Sequence, residues 1–86
     1  MLIESTNEFE KDLKKINREE SSRIKDVIQK LENGEQPGKP LLYVRNVFSV
    51  RIGNKRLIYR TEAGSDKVLL LFFKSREQVY DYLRRI

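Results

Sequence analysis

The spacing of the hydrophobic residues changes along the chain, from a helical period before residue 40 to an alternating pattern after it. Phe9, Leu13 and Ile16 recur at i, i+4 and i+7, which predicts an amphipathic helix. This helix should begin near Thr6, after a short first strand at residues 1–4. The early part of the chain is therefore expected to be mainly helical.

Capping residues indicate where the helices begin and end. Ser5 and Glu8 have the spacing of a capping box at the first helix, and Asn17 and Glu20 have it at a second. The second helix should stop at Gly34. The apolar residues that it would bury are Ile24, Val27, Ile28 and Leu31. Both apolar stripes are narrow, so we expect a helical hairpin that packs on another layer.

Strands are predicted after a loop at residues 35–40, which contains two prolines and a glycine. The alternating segments are 41–45, 47–52, 56–61 and 67–73. The turns at 53–54 and 64–66 are short, so the strands that they join should be antiparallel. A last helix is expected after Ser75, with Gln78 at its third position. Its apolar stripe is Val79, Leu83 and Ile86.

These elements predict one α+β domain over residues 1–86, in the order β-α-α-β-β-β-β-α. An antiparallel sheet would carry the N-terminal helical hairpin on one face. Phe48, Val50 and Ile52 should face the hairpin, because alternate residues of a strand share a face. Arg51 and Arg56, together with Arg60, should then project from the other, open face. The strand at 68–73 is apolar on both sides and should be central.

Composition excludes several classes of site. The chain has no Cys and no His, which excludes disulfides, thiolate nucleophiles, the usual zinc ligands and a Ser-His triad. Acidic residues do not cluster in the basic half, so we expect no metal and no cofactor. The N-terminus resembles no signal peptide, and the longest apolar run is too short to span a bilayer. We therefore expect a cytoplasmic protein without a membrane partner.

Charge is concentrated in the second half of the chain. Residues 1–40 hold 8 Lys and Arg against 9 Asp and Glu, whereas residues 41–86 hold 10 against 4. The two halves therefore carry net charges of −1 and +6, which sum to the +5 of the whole chain. A basic half is typical of a surface that binds phosphate groups, although it is also common as plain solvated surface.

Two motifs resemble those of the RelE/ParE toxin superfamily. The first is Arg51-Ile-Gly-x-x-Arg56-Leu-Ile-Tyr59, and the second is Lys74-x-Arg76-x-x-x-Tyr80 at the end of a predicted strand. The order of elements and the length of the chain also fit. The resemblance implies a toxin of a type II toxin–antitoxin system, with a cognate antitoxin as partner.

The resemblance leaves more than one activity open. The RelE branch of the superfamily cleaves mRNA in the ribosomal A site by attack of the ribose 2′-OH on the phosphate, without a metal. The ParE branch inhibits DNA gyrase. The retained basic residues and tyrosine favour a RelE-like endoribonuclease whose partners are the ribosome and mRNA. The alternatives are a gyrase inhibitor and a catalytically silent module that binds the ribosome or RNA.

The resemblance also assigns the site residues. Arg56 matches the sheet arginine that holds the scissile phosphate, and Tyr80 matches a tyrosine that stacks on a base. The basic positions near them are Arg51, Lys74 and Arg76. Arg51 falls where RelE has one of two strand lysines. Ser49 falls where RelE has the other, when a short gap is placed in the turn at 53–54.

The resemblance leaves two candidates for the general base. Arg51 is a poor base, because its guanidinium group stays protonated. The remaining candidates are Lys55 and Lys74. Lys55 should point to the hairpin side if its turn is tight. Lys74 would lose its proton more easily if positive charges surrounded it, because like charges lower the pKa of a lysine.

Overall fold

The computed structural model describes residues 1–85, which form a mixed five-stranded sheet with three helices. The elements in chain order are β1 (Leu2–Ser5), α1 (Asn7–Leu13), α2 (Arg18–Glu32), β2 (Lys39–Pro40), β3 (Val47–Ile52), β4 (Lys55–Thr61), β5 (Lys67–Ser75) and α3 (Arg76–Leu83). The predicted α+β class and element order are therefore confirmed. Ile86, which was expected to extend the stripe of the last helix, lies outside the described residues.

Local hydrogen bonds explain where the first two helices begin. The N-cap of α1 is Thr6, whose hydroxyl accepts from the Phe9 N–H at 3.0 Å. The capping box predicted at Ser5 is therefore wrong by one residue. Asn17 caps α2 through the predicted box, because its side chain and that of Glu20 each accept from the other's backbone N–H.

The end of α2 is a Schellman motif, as the glycine suggested. Gly34 has a φ of +83°, a left-handed conformation that glycine adopts without strain. The N–H of Glu35 donates to the carbonyl of Lys30 at 2.9 Å, and that of Gly34 donates to Leu31. These bonds satisfy two of the last carbonyls of the helix and release the chain into the loop before β2.

The sheet has the strand order β1-β5-β4-β3-β2. The β1–β5 pair is parallel and the other three pairs are antiparallel, so the sheet is mixed and not purely antiparallel as predicted. The strand predicted at 41–45 is wrong, since these residues form turns that end at Asn46, with its φ of +63°. The strand is instead Lys39–Pro40, which pairs with Ser49 and Phe48. Proline is tolerated there because β2 is an edge strand, so no neighbouring strand needs a backbone N–H from its outer side.

Both faces of the sheet are covered. The hairpin of α1 and α2 packs on Leu57, Tyr59 and their neighbours, as the alternation predicted. The opposite face is not open, because α3 packs on it. The buried residues of this second core are Val47, Ile58, Leu71, Phe72 and Val79. Basic residues on this face are therefore confined to the part that α3 leaves uncovered.

An irregularity in β5 sets the positions at its end. Ile58 pairs with Phe72 whereas Tyr59 pairs with Leu70, so Leu71 is an extra residue in β5. As a result Leu71 and Phe72 both belong to the second core, and the alternation resumes after them. The bulge brings Lys74 opposite Arg56 on β4.

Helix α1 completes the hydrogen bonding of β5 where β1 ends. The Thr6 N–H donates to the carbonyl of Leu70 at 3.0 Å, and the Thr6 hydroxyl donates to that of Leu71 at 2.5 Å. Two residues further on, the Phe73 N–H donates to Asp12 Oδ2 at 2.9 Å. Asp12 therefore provides an acceptor that a strand neighbour would otherwise supply.

Asp12 also anchors a buried lysine. Lys74 Nζ lies 2.7 Å from Asp12 Oδ1 and 2.7 Å from Glu8 Oε2, and 4.3 Å from the centre of the Tyr82 ring. Burial alone would lower the pKa of Lys74, but hydrogen bonds to Asp12 and Glu8 outweigh it and raise the pKa above its ordinary value of 10.5. The bond from Lys74 in turn lowers the pKa of Glu8. The cluster connects α1, β5 and α3.

Replacing Asp12 should destabilise the fold strongly. In Asp12→Ala the buried Phe73 N–H loses its acceptor and the Lys74 ammonium keeps only Glu8. Breaking a buried ion pair costs about 3 kcal/mol or more. Urea unfolding should show this loss. The control Asp26→Ala removes an exposed carboxylate of α2 and should change the free energy of unfolding by no more than about 0.5 kcal/mol. Equal effects of the two changes would contradict the role of Asp12.

The raised pKa of Lys74 predicts a pH-dependent contribution to stability. Because the folded state holds this proton more tightly, the contribution is complete below pH 10.5, the ordinary pKa, and is lost as the pH rises through the raised value. The difference in unfolding free energy between the wild type and Lys74→Met should therefore shrink only above that pH. Lys25→Met, at an exposed position of α2, controls for loss of charge. A difference that stays constant to about pH 12 would contradict the prediction.

Candidate nucleic-acid interface

A row of basic residues crosses three strands on the face that α3 partly covers. Arg51 of β3 pairs with Arg56 of β4, and Arg56 pairs with Lys74 of β5. Like charges directly opposite each other destabilise a sheet, and a bound anion would relieve this repulsion. The row is therefore a candidate site for an anionic ligand.

Lys74 leaves this row. Its ammonium group is bound by Asp12 and Glu8 of α1. The residue is only 7% exposed. The expected lowering of its pKa by surrounding arginines is wrong, since the two carboxylates raise it. The structure thus separates the Lys74 ammonium from the arginine groups. The sequence alone could not show this, because Asp12 is 62 residues away.

Lys55, the other candidate base, points to the hairpin side as predicted for a tight turn. Its ammonium group lies 3.4 Å from Glu20 Oε2 and 5.4 Å from the centre of the Phe73 ring. The residue borders a cavity of about 150 Å³ that Arg51, Arg56 and Arg76 also line, but its charge is paired with Glu20 of α2. Both lysines proposed as bases are therefore engaged by carboxylates.

Helix α3 brings Arg76 and Tyr80 to the pocket that Arg56 lines. Arg76 and Tyr80 are four residues apart and share one face of the helix. They line a cavity of about 80 Å³ together with Leu41, Ser49, Arg56 and Val79. Tyr80 is 59% exposed, so its ring remains available to a ligand, whereas the neighbouring Val79 anchors the helix in the second core.

Arg56 is the residue that joins the concavities of this face. It lines the pocket of Tyr80, the cavity shared with Arg51, and a larger groove of about 530 Å³ along β2 and β3. Arg51 donates from Nε to the Gly53 carbonyl at 3.2 Å, which holds it beside the turn. Arg51, Arg56 and Arg76 form no ion pair with any residue of 1–85.

The large groove contains a basic residue that the sequence prediction missed. Lys39 lines it together with Ser49, Arg51 and Arg56. Residues 35–40 were predicted as loop, and only the β2–β3 register shows that Lys39 lies opposite Ser49. The Ser49 hydroxyl is buried and has no hydrogen-bond partner among the described residues.

The site carries positive charge and no identified metal ligands. Within residues 1–85, no three carboxylates lie close enough together to hold a metal ion. In the same part of the chain, no helix has the length and apolar composition needed to cross a membrane. Three guanidinium groups without an ion-pair partner in residues 1–85 surround shallow concavities, with an exposed aromatic ring beside them. This arrangement suits an anionic ligand that carries planar groups.

Comparison with solved structures shows the RelE-like fold. The RelE–RelB toxin–antitoxin complex of Methanococcus jannaschii matches with a TM-score of 0.76 and 24% identity, over 95% of this chain and 98% of that one. The isolated RelE toxin of E. coli matches with a TM-score of 0.72 and 15% identity, over 98% and 95% of the two chains. YafQ of E. coli matches with a TM-score of 0.73 and 17% identity, over 91% and 96%.

Sequence comparison supplies the family. Curated protein sequences give no significant match. The family model described as the ParE toxin of the type II toxin–antitoxin system parDE matches residues 3–80. This range includes most of β1, all of β2 to β5, and the arginines and tyrosine of the site. The chain therefore belongs to the ParE toxin family of type II toxin–antitoxin systems, within the RelE/ParE superfamily that its two basic motifs predicted.

Proposed function

We propose that this toxin is a RelE-like endoribonuclease that cleaves mRNA in the ribosomal A site, in the cytoplasm. The observation that carries the proposal is the convergence of Arg51, Arg56 and Arg76 on one concave face, with Tyr80 at its border. A phosphate bound at Arg56 would be in reach of cations from β3, β4 and α3. Its neighbouring base could then stack on the Tyr80 ring.

The chemistry requires stabilisation of a crowded, negatively charged phosphate. The 2′-oxygen attacks phosphorus, the bond from phosphorus to the 5′-oxygen breaks, and the products are a 2′,3′-cyclic phosphate and a 5′-hydroxyl. Guanidinium groups held on a sheet and a helix are preorganised to bind the charge that develops on the phosphate oxygens. Arg56 is central to this role, because it borders all three concavities.

The positions of the lysines make the proposed catalysis mainly electrostatic. Lys55 is paired with Glu20, and Lys74 is paired with Asp12 and Glu8. Lys74 lines none of the three concavities that Arg56 borders, whereas Lys55 lines the one of about 150 Å³ with its charge paired to Glu20. We propose that the proton of the 2′-hydroxyl passes to water and that a proton from water reaches the 5′-oxygen. Lys74 contributes by fixing the end of β5, from which Arg76 and Tyr80 follow.

The antitoxin would act by blocking this face. An acidic segment that adds a strand or lays a helix on the domain would neutralise or cover the unpaired arginines. The Methanococcus jannaschii neighbour is a RelB–RelE complex, which supports a partner of this kind.

A gyrase inhibitor is the second candidate function. The family model carries the name ParE, and both lysines proposed as bases are paired with carboxylates. These observations favour a toxin that binds its target without cleaving RNA. Purified gyrase with relaxed plasmid DNA would distinguish it, since an inhibitor should block supercoiling or trap cleaved DNA.

Replacing Arg56 should abolish cleavage without unfolding the protein. Primer extension on an mRNA translated by purified ribosomes should show cuts within A-site codons for the wild type and a loss of at least about a hundredfold for Arg56→Ala. Arg23→Ala, an exposed change on α2, should cut like the wild type. If the wild type made no cuts, the nuclease function would be contradicted. Ribosome binding without cuts would then favour the silent module, and absence of ribosome binding would favour the gyrase inhibitor.

The Tyr80 ring should contribute through stacking. Tyr80→Phe keeps the aromatic surface and should retain cleavage, whereas Tyr80→Ala should weaken substrate binding by about 1–3 kcal/mol. The dependence of the cleavage rate on ribosome concentration would measure this loss. If Tyr80→Phe were as impaired as Tyr80→Ala, the hydroxyl group rather than the ring would carry the function, and the stacking role would be wrong.

A further inference from the structure

Strand β2 fixes Lys39 beside the arginine cluster. Lys39 pairs with Ser49 across β2 and β3, so their side chains share the face of the groove. The preceding Gly38 is held by Tyr59, whose hydroxyl accepts from the Gly38 N–H at 3.0 Å and donates to Gln36. A Cβ at Gly38 would lie 2.8 Å from the Tyr59 hydroxyl oxygen, so only glycine allows this close approach.

The sheet geometry separates Lys39 from Arg56 by a definite distance. Lys39 on β2 pairs with Ser49 on β3, and Ser49 pairs with Ile58 on β4. Arg56 lies two residues before Ile58 on β4, so it is displaced from Lys39 by two strands and by two residues along the strand. Strands lie about 4.8 Å apart and rise about 3.4 Å per residue, so the two Cα atoms are about 12 Å apart. Arg51 lies between them. The two long side chains can therefore each hold a separate phosphate group.

Ser49 lines the groove together with Lys39 and Arg56. It lines both the large groove and the pocket of Tyr80, and its buried hydroxyl is without a partner among the described residues. An unpaired buried hydroxyl destabilises a free protein and gains a partner if a ligand oxygen reaches it. None of the residues that line the groove is acidic, and Lys39 forms no ion pair within residues 1–85.

We propose that Lys39 and Ser49 form a second subsite, which binds the RNA phosphate adjacent to the one held by Arg56. The proposal rests on the proposed function, because it takes the RNA strand at Arg56 as its reference. Lys39 supplies the cation and Ser49 a hydroxyl that can donate to a phosphate oxygen. The groove then holds the strand across β2, β3 and β4, and the subsite positions the scissile phosphate without taking part in the transfer.

A titration with a short 2′-O-methyl RNA, which cannot be cleaved, tests the subsite. The dissociation constant can be measured by NMR chemical-shift changes at several salt concentrations. Lys39→Ala should weaken binding about three- to tenfold and reduce the salt dependence by about 0.7, the value of one phosphate contact on a single strand. Lys39→Arg should restore both quantities, and Lys25→Ala on α2 should behave like the wild type.

Ser49→Ala separates a ligand contact from a structural role. Removing the unpaired hydroxyl should leave the melting temperature unchanged or raise it, while binding of the RNA weakens. A fall in melting temperature with unchanged binding would overturn the role of Ser49. Unchanged affinity and salt dependence in Lys39→Ala, with binding lost in Arg56→Ala, would overturn the subsite alone. Unchanged binding in Arg56→Ala would overturn the proposed function.

Discussion

The carboxylate of Asp12 is the contact on which both the fold and the site depend. Its two oxygens accept from the Phe73 N–H and from Lys74 Nζ, so one side chain of α1 serves the backbone and the side chains of β5. Such a buried charge is stable only with its partners in place. It fixes the segment of β5 that β1 no longer covers, and α3 begins directly after that segment.

Through this contact the chain separates two kinds of positive charge. Lys74 is neutralised by Asp12 and Glu8, and Lys55 by Glu20, so these lysines stabilise the attachment of the helices to the sheet. Arg51, Arg56 and Arg76 have no such partners within residues 1–85 and remain able to bind an anion. Acidic residues of the helical half thus pair with two lysines of the second half and leave its three arginines without ion pairs among the described residues.

Much of this architecture follows from local pattern. The alternation of Phe48, Val50 and Ile52 correctly assigns a face to β3, and the spacing of Asn17 and Glu20 predicts the start of α2. The spacing of Arg76 and Tyr80 predicts their shared surface. These features depend on residues that are close in sequence, where periodicity and capping rules apply directly.

The errors arise where distant segments decide the outcome. The strand expected at 41–45 is displaced to Lys39–Pro40, because the edge position tolerates Pro40 and the turn ends at Asn46. The partner of Lys74 comes from α1, which no local rule connects to β5. Lys39 enters the groove only through the β2–β3 register. Register and long-range ion pairs are properties of the assembled sheet.

A crystal structure of the protein with a bound, non-cleavable RNA would test the central claim most directly. We predict a phosphate within hydrogen-bonding distance of Arg56 and Arg76, with Lys74 still bound to Asp12 and Glu8. A structure in which Lys74 leaves Asp12 and contacts the phosphate, or in which the RNA avoids Arg56, would contradict the proposed separation of structural lysines from ligand-binding arginines.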